Sequence, residues 1–394
     1  EVEESDWSSD VCSSDLMSSA EATKFRNTMV KVEEGAKLRT TSGGRVLLLA
    51  PKVDNAGRIE TPEGQTILAA GAKVYLTAPL DSSLRGFLVE VDPYSGSDAP
   101  SPIGGSVVNR AAAKTTETKT VDGKSVEIER VYQIVAKRGN VTLAGFDVAQ
   151  EGRILVTSTV DQNGSITLKA RDTWTRNRQV DVPNSEPVFV PVTGRTGNLA
   201  LGTASETSVL PEAAAARTRP GDFRVNTEID VLPATDNART TADDQTFNRS
   251  RIDLSGKSIT VGSGARVIAP SGVISFLAEA ARAVAEDLPF QLRGVADNGG
   301  IRISVGANAR IDASGLGGVV LSGGRDVLEV DLRGPELKDA PLQRQGILRN
   351  ASVNLDLRTD PALVDLAPFR AQVQRGIAER SATGGDIVLK SEGD

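Results

Sequence analysis

A catalytic site in this chain would have to be made from carboxylates, Lys and Arg. The 394 residues contain no His and a single Cys, Cys12. That removes imidazole relays, thiolate nucleophiles, disulfides and the usual zinc ligand sets together. Two clusters could supply acid–base chemistry of the kind that polysaccharide lyases and hydrolases use: Asp326, Glu329, Asp331 and Arg333, and the adjacent pair Asp243 and Asp244. Two carboxylates cleave a glycosidic bond only when held at a fixed separation across it, and closeness in sequence does not set that separation. Glu329, Asp331 and Arg333 alternate with Val330 and Leu332, the pattern of a strand whose charged side meets water. Both clusters therefore read as solvated strand and turn residues, and no catalytic, cofactor-binding or metal-binding residue is expected.

Other motifs are weaker still. Gly315-Leu316-Gly317-Gly318-Val319 lacks the Asp of a calcium-binding nonapeptide and reads as a turn. Gly262-Ser263-Gly264 is followed by Arg266-Val267-Ile268, a strand where a dinucleotide fingerprint needs a helix. Asn140-Val141-Thr142, Asn163-Gly164-Ser165, Asn248-Arg249-Ser250 and Asn350-Ala351-Ser352 fit the glycosylation triplet, which also arises by chance in a chain this rich in Ser, Thr and Asn.

The elements must then be read from composition and repetition. With 9 Phe, 3 Tyr and 2 Trp against 38 Gly, the interior has to be aliphatic, and thin stacked layers suit it better than one thick core. The 45 basic and 52 acidic residues, net −7, are scattered along the chain, which argues against a nucleic-acid partner. No apolar run approaches the ~20 residues of a membrane-spanning helix, so no transmembrane segment is expected. The longest candidate, Val46 to Ala50, stops at Pro51.

One phrase recurs four times: Val32-Glu33-Glu34-Gly35-Ala36-Lys37-Leu38, Leu68-Ala69-Ala70-Gly71-Ala72-Lys73-Val74, Val261-Gly262-Ser263-Gly264-Ala265-Arg266-Val267 and Val305-Gly306-Ala307-Asn308-Ala309-Arg310-Ile311. It reads as two short strands joined at a bend that needs positive φ, which Gly and Asn tolerate best. Gly35, Gly71, Gly264 and Asn308 are expected to stack at equivalent corners, with Leu38, Val74, Val267 and Ile311 pointing inward. Val32 and Leu68 are 36 residues apart, Val261 and Val305 are 44 apart. Both distances read as two turns of a coil of roughly 18 to 22 residues. A second phrase, a glycine turn before an alternating strand, appears at Gly43 to Leu48, Arg138 to Leu143, Asn163 to Leu168 and Gly384 to Leu389. Together these predict an all-β fold, a parallel β-helix; a β-sandwich gives no reason for near-identical phrases.

The chain divides accordingly. Residues 1–16, Cys12 among them, are a polar run that resembles translated adapter sequence and is set aside as non-native and disordered. Residues 17–183 are the first part of the coil, with a hairpin insertion at 114–131 turning at Asp122-Gly123. Residues 184–248, rich in Pro, Ala and Thr, form a long excursion. Residues 249–394 are the second part, with a helical insertion at about 360–380 through Leu363, Leu366, Phe369, Val373 and Ile377. A shorter helix is expected through Leu277, Ala280, Ala281, Val284 and Leu288.

The phrases Val46 to Ile59, Pro62 to Gly71, Gly152-Arg153-Ile154, Asn163 to Asp172 and Ser391-Glu392-Gly393-Asp394 carry a resemblance. In that order they resemble the filamentous haemagglutinin family, exoproteins of bacterial two-partner secretion, over most of Val30 to Lys169 and Ser250 to Asp394. The resemblance implies a right-handed parallel β-helix on a secreted, cell-surface protein that works as an adhesin. It also implies export through an outer-membrane pore by way of a secretion domain that precedes the repeats, and contact with host-cell receptors or glycans. No site residue carries over. Two other readings stand beside this one: a carbohydrate-active β-helix enzyme, and the stalk of a contact-dependent inhibition toxin.

Overall fold

The structure, a computed structural model, describes residues 24, 27–79, 85–92, 105–111, 116–121, 124–129, 132–160, 162–172, 174–176, 189–191, 196–212, 248–280, 300–319, 327–331, 346–347, 349–358 and 376–392. Residues 1–16, Asp243 and Asp244 lie outside them, as does nearly all of the segment expected to be helical at 360–380.

Seven coils of three short strands make up the body. The first holds β1 (Met29–Val32), β2 (Lys37–Arg39) and β3 (Arg45–Ala50); the second holds β4 (Lys52–Asn55), β5 (Arg58–Glu60) and β6 (Gln65–Ala70). A hairpin, β7 (Lys73–Thr77) and β8 (Leu88–Asp92), then leaves the coil. The third coil starts with β9 (Ser106–Asn109), gives off a second hairpin, β10 (Thr116–Val121) and β11 (Lys124–Glu129), and resumes with β12 (Ile134–Ala136) and β13 (Asn140–Gly145). The fourth has β14 (Asp147–Gln150), β15 (Arg153–Ser158) and β16 (Ser165–Ala170), followed by the antiparallel pair β17 (Trp174–Arg176) and β18 (Phe189–Pro191). In the fifth are β19 (Asn198–Leu201), β20 (Glu206–Pro211) and β21 (Arg251–Gly256); in the sixth, β22 (Ser258–Val261), β23 (Arg266–Ile268) and β24 (Val273–Ala278). The seventh opens with β25 (Arg302–Val305) and β26 (Arg310–Asp312). An antiparallel pair, β27 (Val327–Asp331) and β28 (Ser352–Asp356), and a single helical turn, α1 (Ile377–Arg380), precede its last strand, β29 (Asp386–Ser391).

Equivalent strands of successive coils pair in parallel, so the body is three seven-stranded sheets: β1-β4-β9-β14-β19-β22-β25, β2-β5-β12-β15-β20-β23-β26 and β3-β6-β13-β16-β21-β24-β29. This is a parallel β-helix. A turn without an inserted hairpin or strand pair takes 20 to 25 residues, since Arg45 pairs with Gln65, Met29 with Lys52 and Asn140 with Ser165. Alternation sends every second side chain inward, and exact register turns these into columns. Val30, Val53, Val107, Val148, Leu199, Ile259 and Ile303 form one column in the first sheet. Leu48, Leu68, Leu143, Leu168, Leu254, Phe276 and Leu389 form another in the third. Each such side chain, once covered above and below, contributes roughly 1.5–3 kcal/mol of burial, which is how an aliphatic chain with few aromatics holds a fold.

The corners explain the phrases. Between the first and second sheets, Ala36, Ser205, Ala265 and Ala309 donate their N–H to the carbonyls of Glu33, Gly202, Gly262 and Gly306 at 3.1–3.2 Å. The residue before each donor has positive φ: Gly35 83°, Ala204 55°, Gly264 69° and Asn308 58°. That is the signature of a turn with a left-handed third residue. Gly71 does not belong here. It lies between β6 and β7, where the chain leaves the coil, and Val74 faces a separate cluster outside the third sheet. Leu38, Val267 and Ile311 do share one inward column, through Ile59, Ile134, Ile154 and Thr207.

At the corner before the third sheet, Gly44, Gly64, Gly139, Gly164, Ser250 and Gly272 stack, each carbonyl accepting from the residue that opens the next coil's strand at 2.8–3.4 Å. A Cβ on Gly139 would collide with the Gly64 carbonyl oxygen, and one on Gly385 with that of Gly272. The second phrase is thus one column: β3, β13, β16 and β29 all belong to the third sheet.

Three further expectations change. Val261 pairs directly with Val305, so 44 residues are one lengthened turn, and Val32 and Leu68 lie in different sheets, so their spacing counts no whole turns. Residues 184–248 contain β18, β19 and β20; the last two belong to the coil, their short alternation having been masked by the surrounding Pro- and Ala-rich text. Leu277 lies in β24, paired with Ser255 and Lys390, because sheet pairing on both sides outweighs the helical spacing that follows; residues 281–299 lie outside the described ones.

Candidate functional site

Glu329 and Asp331 sit in β27 opposite Asn354 and Ser352, away from the coil's sheets, while Asp326 and Arg333 lie outside the described residues. Of the two acidic clusters, therefore, only Glu329 and Asp331 lie among the described residues, two positions apart on one strand. Asn140 and Asn163 are buried, and their amides donate to the carbonyls of Arg85 at 2.9 Å and Arg249 at 3.5 Å, whereas Asn350 is exposed. Among the described residues no three His, Cys, Asp or Glu side chains group as a metal site, and no helix is long and apolar enough to cross a membrane.

The groove that does form depends on the first hairpin. Val74, Leu76, Val89 and Val91 alternate with Tyr75 and Glu90, so β7–β8 has an apolar face. That face covers Ile67, Ala69, Ala144 and Phe146 on the outside of the third sheet, which is why β6 and β13 are buried along their whole length. The base of the hairpin is pinned by polar contacts. Gln65 behaves like a strand neighbour of Phe87, donating to its carbonyl at 2.9 Å and accepting from its N–H at 2.7 Å. The guanidinium of Arg45 lies 4.7 Å from the centre of the Phe87 ring. Arg85 donates to the Arg138 carbonyl at 3.1 Å, and burial lowers its pKa. Gly86, with φ of 83°, leaves no room for a Cβ, which would fall 2.6 Å from Gln65 Oε1.

The other side of the hairpin walls a groove of about 710 Å³ against β16, β21 and the residues that follow them. Tyr75, Glu90 and Asp92 line one side; Lys169, Arg171, Asp172, Ser255 and Glu279 line the other. Glu90 meets Lys169 and Asp92 meets Arg171, whose guanidinium also donates to the Val91 carbonyl at 2.6 Å. Asp172, almost fully buried, accepts from Thr196 Oγ1 at 2.9 Å, and Lys257 Nζ approaches it at 3.8 Å. The wall thus carries paired charges beside a half-exposed aromatic ring, an arrangement that can hold a polar ligand by hydrogen bonds and stacking. The sequence does not announce it, because Tyr75 and Glu90 fall within residues 17–183, which read as coil outside the hairpin at 114–131. The usable signal was two five-residue alternating runs with Gly86 between them.

A second feature is equally silent in the sequence. Asn55 donates to Asn109 Oδ1 at 2.8 Å, Asn109 donates to Gln150 Oε1 at 2.6 Å, and Gln150 donates to the carbonyls of Gly152 and Glu206 at 3.1 Å; all three side chains are fully buried. Beside it Arg110 clamps Asp54 with two nitrogens at 2.7–3.0 Å. These groups cross-link coils and serve stability. Compared with known proteins, the chain matches no family model, no curated sequence and no solved structure.

Proposed function

We propose that this chain is a structural segment of a large secreted bacterial surface exoprotein of the filamentous haemagglutinin type, in which the coil serves as a rigid shaft for cell adhesion. The observation that supports this reading most is the unbroken stack of seven coils in register. Each turn advances about 4.8 Å and is tied to its neighbours through all three sheets, so length and stiffness are what the fold provides. Of the phrases that carry the resemblance, Val46 to Ile59 runs through strands of all three sheets, Pro62 to Gly71 and Asn163 to Asp172 hold strands of the third, and Gly152-Arg153-Ile154 opens one of the second. In this reading export uses an outer-membrane pore and a separate secretion domain, and the contacts made are with host-cell receptors or glycans.

The test is a paired assay of the purified chain. Surfaces coated with it should retain host cells above an albumin control, and incubation with a panel of acidic and neutral polysaccharides should release no reducing ends or unsaturated products. Sustained cleavage of any polysaccharide would overturn the proposal in favour of a carbohydrate-active enzyme.

A further inference from the structure

We infer that the groove beside the first hairpin binds an uncharged oligosaccharide, held between the Tyr75 ring and the charge pairs that line its walls. This deepens the adhesive reading, on which its use at a cell surface rests, by naming the class of glycan and the site that holds it.

The coil places its insertions unevenly. Where the chain passes from the third sheet to the next coil's first sheet, the first, third and fifth coils use one residue each: Pro51, Phe146 and Lys257. At the same corner the second, fourth and sixth coils give residues 71–105, 171–197 and 279–301 to the passage. All three long passages reach the groove. Tyr75, Glu90 and Asp92 come from the first, Arg171 from the second and Glu279 from the third, around Lys169 of β16. Insertions gathered on one face of a repeat protein often make its binding face, and the rigid coil behind them fixes their spacing. The floor runs from the fourth coil to the sixth, two steps of about 4.8 Å, which suits an elongated ligand.

The chemistry of this face selects the ligand. Each sugar hydroxyl both donates and accepts. Glu90 beside Lys169 and Asp92 beside Arg171 present an acceptor and a donor next to each other, twice. The Tyr75 ring, 45 % exposed, offers a flat apolar face to the C–H side of a pyranose. A polyanion would meet Glu90, Asp92 and Glu279, with Lys169 and Arg171 already engaged by the first two. A polycation would have to displace those same two bases. An uncharged chain needs neither. The volume of about 710 Å³ lies within the range of small-ligand sites.

Isothermal titration calorimetry of the full chain tests this with uncharged hexasaccharides of glucose, mannose, galactose and N-acetylglucosamine, and with heparin and chitosan hexasaccharides as anionic and cationic counterparts. At least one uncharged chain should bind with a Kd below about 1 mM, more tightly than either charged one. Tyr75→Ala should weaken that binding about tenfold and Tyr75→Phe by less than about twofold. Lys169→Met should also weaken it about tenfold, and Arg39→Ala, on the second sheet, should leave it unchanged. Far-UV circular dichroism checks folding; if Tyr75→Ala loses its β signal, Lys169→Met decides alone. Host-cell retention separates the two claims: saccharide binding that depends on Tyr75, in a chain that retains no cells, keeps the groove and removes the adhesive role. No uncharged hexasaccharide bound, tighter binding of a charged one, or an affinity unchanged by either Tyr75→Ala or Lys169→Met in a folded chain would overturn the inference, whether or not cells are retained.

Discussion

Asn55, Asn109 and Gln150 occupy a column that continues upward as Leu201, Val261 and Val305. Polar and apolar side chains thus fill the same geometric slot, and the polar ones are tolerated because each amide nitrogen meets an acceptor, although Asn55 Oδ1 has no donor among the described residues. Asn109→Leu should cost about 2–5 kcal/mol in denaturant unfolding, because it strands the Asn55 donor and the Gln150 acceptor in a dry interior. Replacing all three by aliphatic residues should cost less, since no side-chain amide is then stranded and only the Gly152 and Glu206 carbonyls lose a donor; a triple variant as unstable as the single would refute that account. At the surface, Arg358 donates to both oxygens of Asp356 at 2.7–2.9 Å and its backbone N–H adds a third bond at 3.0 Å. These bonds lower the Asp356 pKa to about 2. A depressed carboxylate contributes stability that is complete above its unfolded pKa of about 3.9 and is lost as pH falls through about 2. Carbon-detected NMR titration should find Asp356 near 2, and Arg358→Ala should return it towards the ordinary carboxylate range.

Turns and hairpins obey two different constraints that look alike in sequence. Gly35 has open space around its α-carbon but a φ of 83°, whereas Gly139 abuts the Gly64 carbonyl oxygen without needing positive φ. Gly35→Ala should therefore cost about 1–2 kcal/mol of backbone strain. Gly139→Ala should cost more, about 3 kcal/mol, because it also displaces the Asn140 N–H from the Gly64 carbonyl. Ala204→Gly should be neutral or stabilising, as Ala204 already holds φ of 55°. Thermal unfolding of the three variants ranks them; equal losses at Gly35 and Gly139 would show that close approach does not matter. The repeated phrases made the corners and the coil legible, because a turn with positive φ and a turn with close carbonyls both demand the same few residues. Turn length was not legible, since insertions lengthen a coil without disturbing its register. Nor was the groove: Glu90 and Lys169 are brought together by stacking, and β7–β8 shows the same alternation as a coil strand.

For the molecule as a whole, contacts run almost entirely between neighbouring coils, so stability should behave as a sum over coils and the interfaces between them. That makes a coil a removable unit. Deleting residues 45–64 takes out β3, β4 and β5 and joins Gly44 to Gln65, the same junction that Gly64 makes now. The remaining strands then meet in existing sheets: β6 follows β2, β9 pairs with β1, and β12 pairs with β2. This shortened chain should express as a soluble β-rich protein with a lower unfolding midpoint, keeping the Gln65–Phe87 hydrogen bonds at the base of the first hairpin and losing the Arg45–Phe87 contact. Deleting residues 46–64 leaves Arg45 as one extra residue at the tight corner. A shift of one residue turns each inward side chain of β6 outward, so Thr66 and Leu68 would leave the core while Ile67 entered it. That chain should unfold at a much lower temperature or fail to accumulate, measured side by side by circular dichroism and limited proteolysis. If both deletions behave alike, stability is not organised coil by coil in register, and the shaft does not follow from the fold.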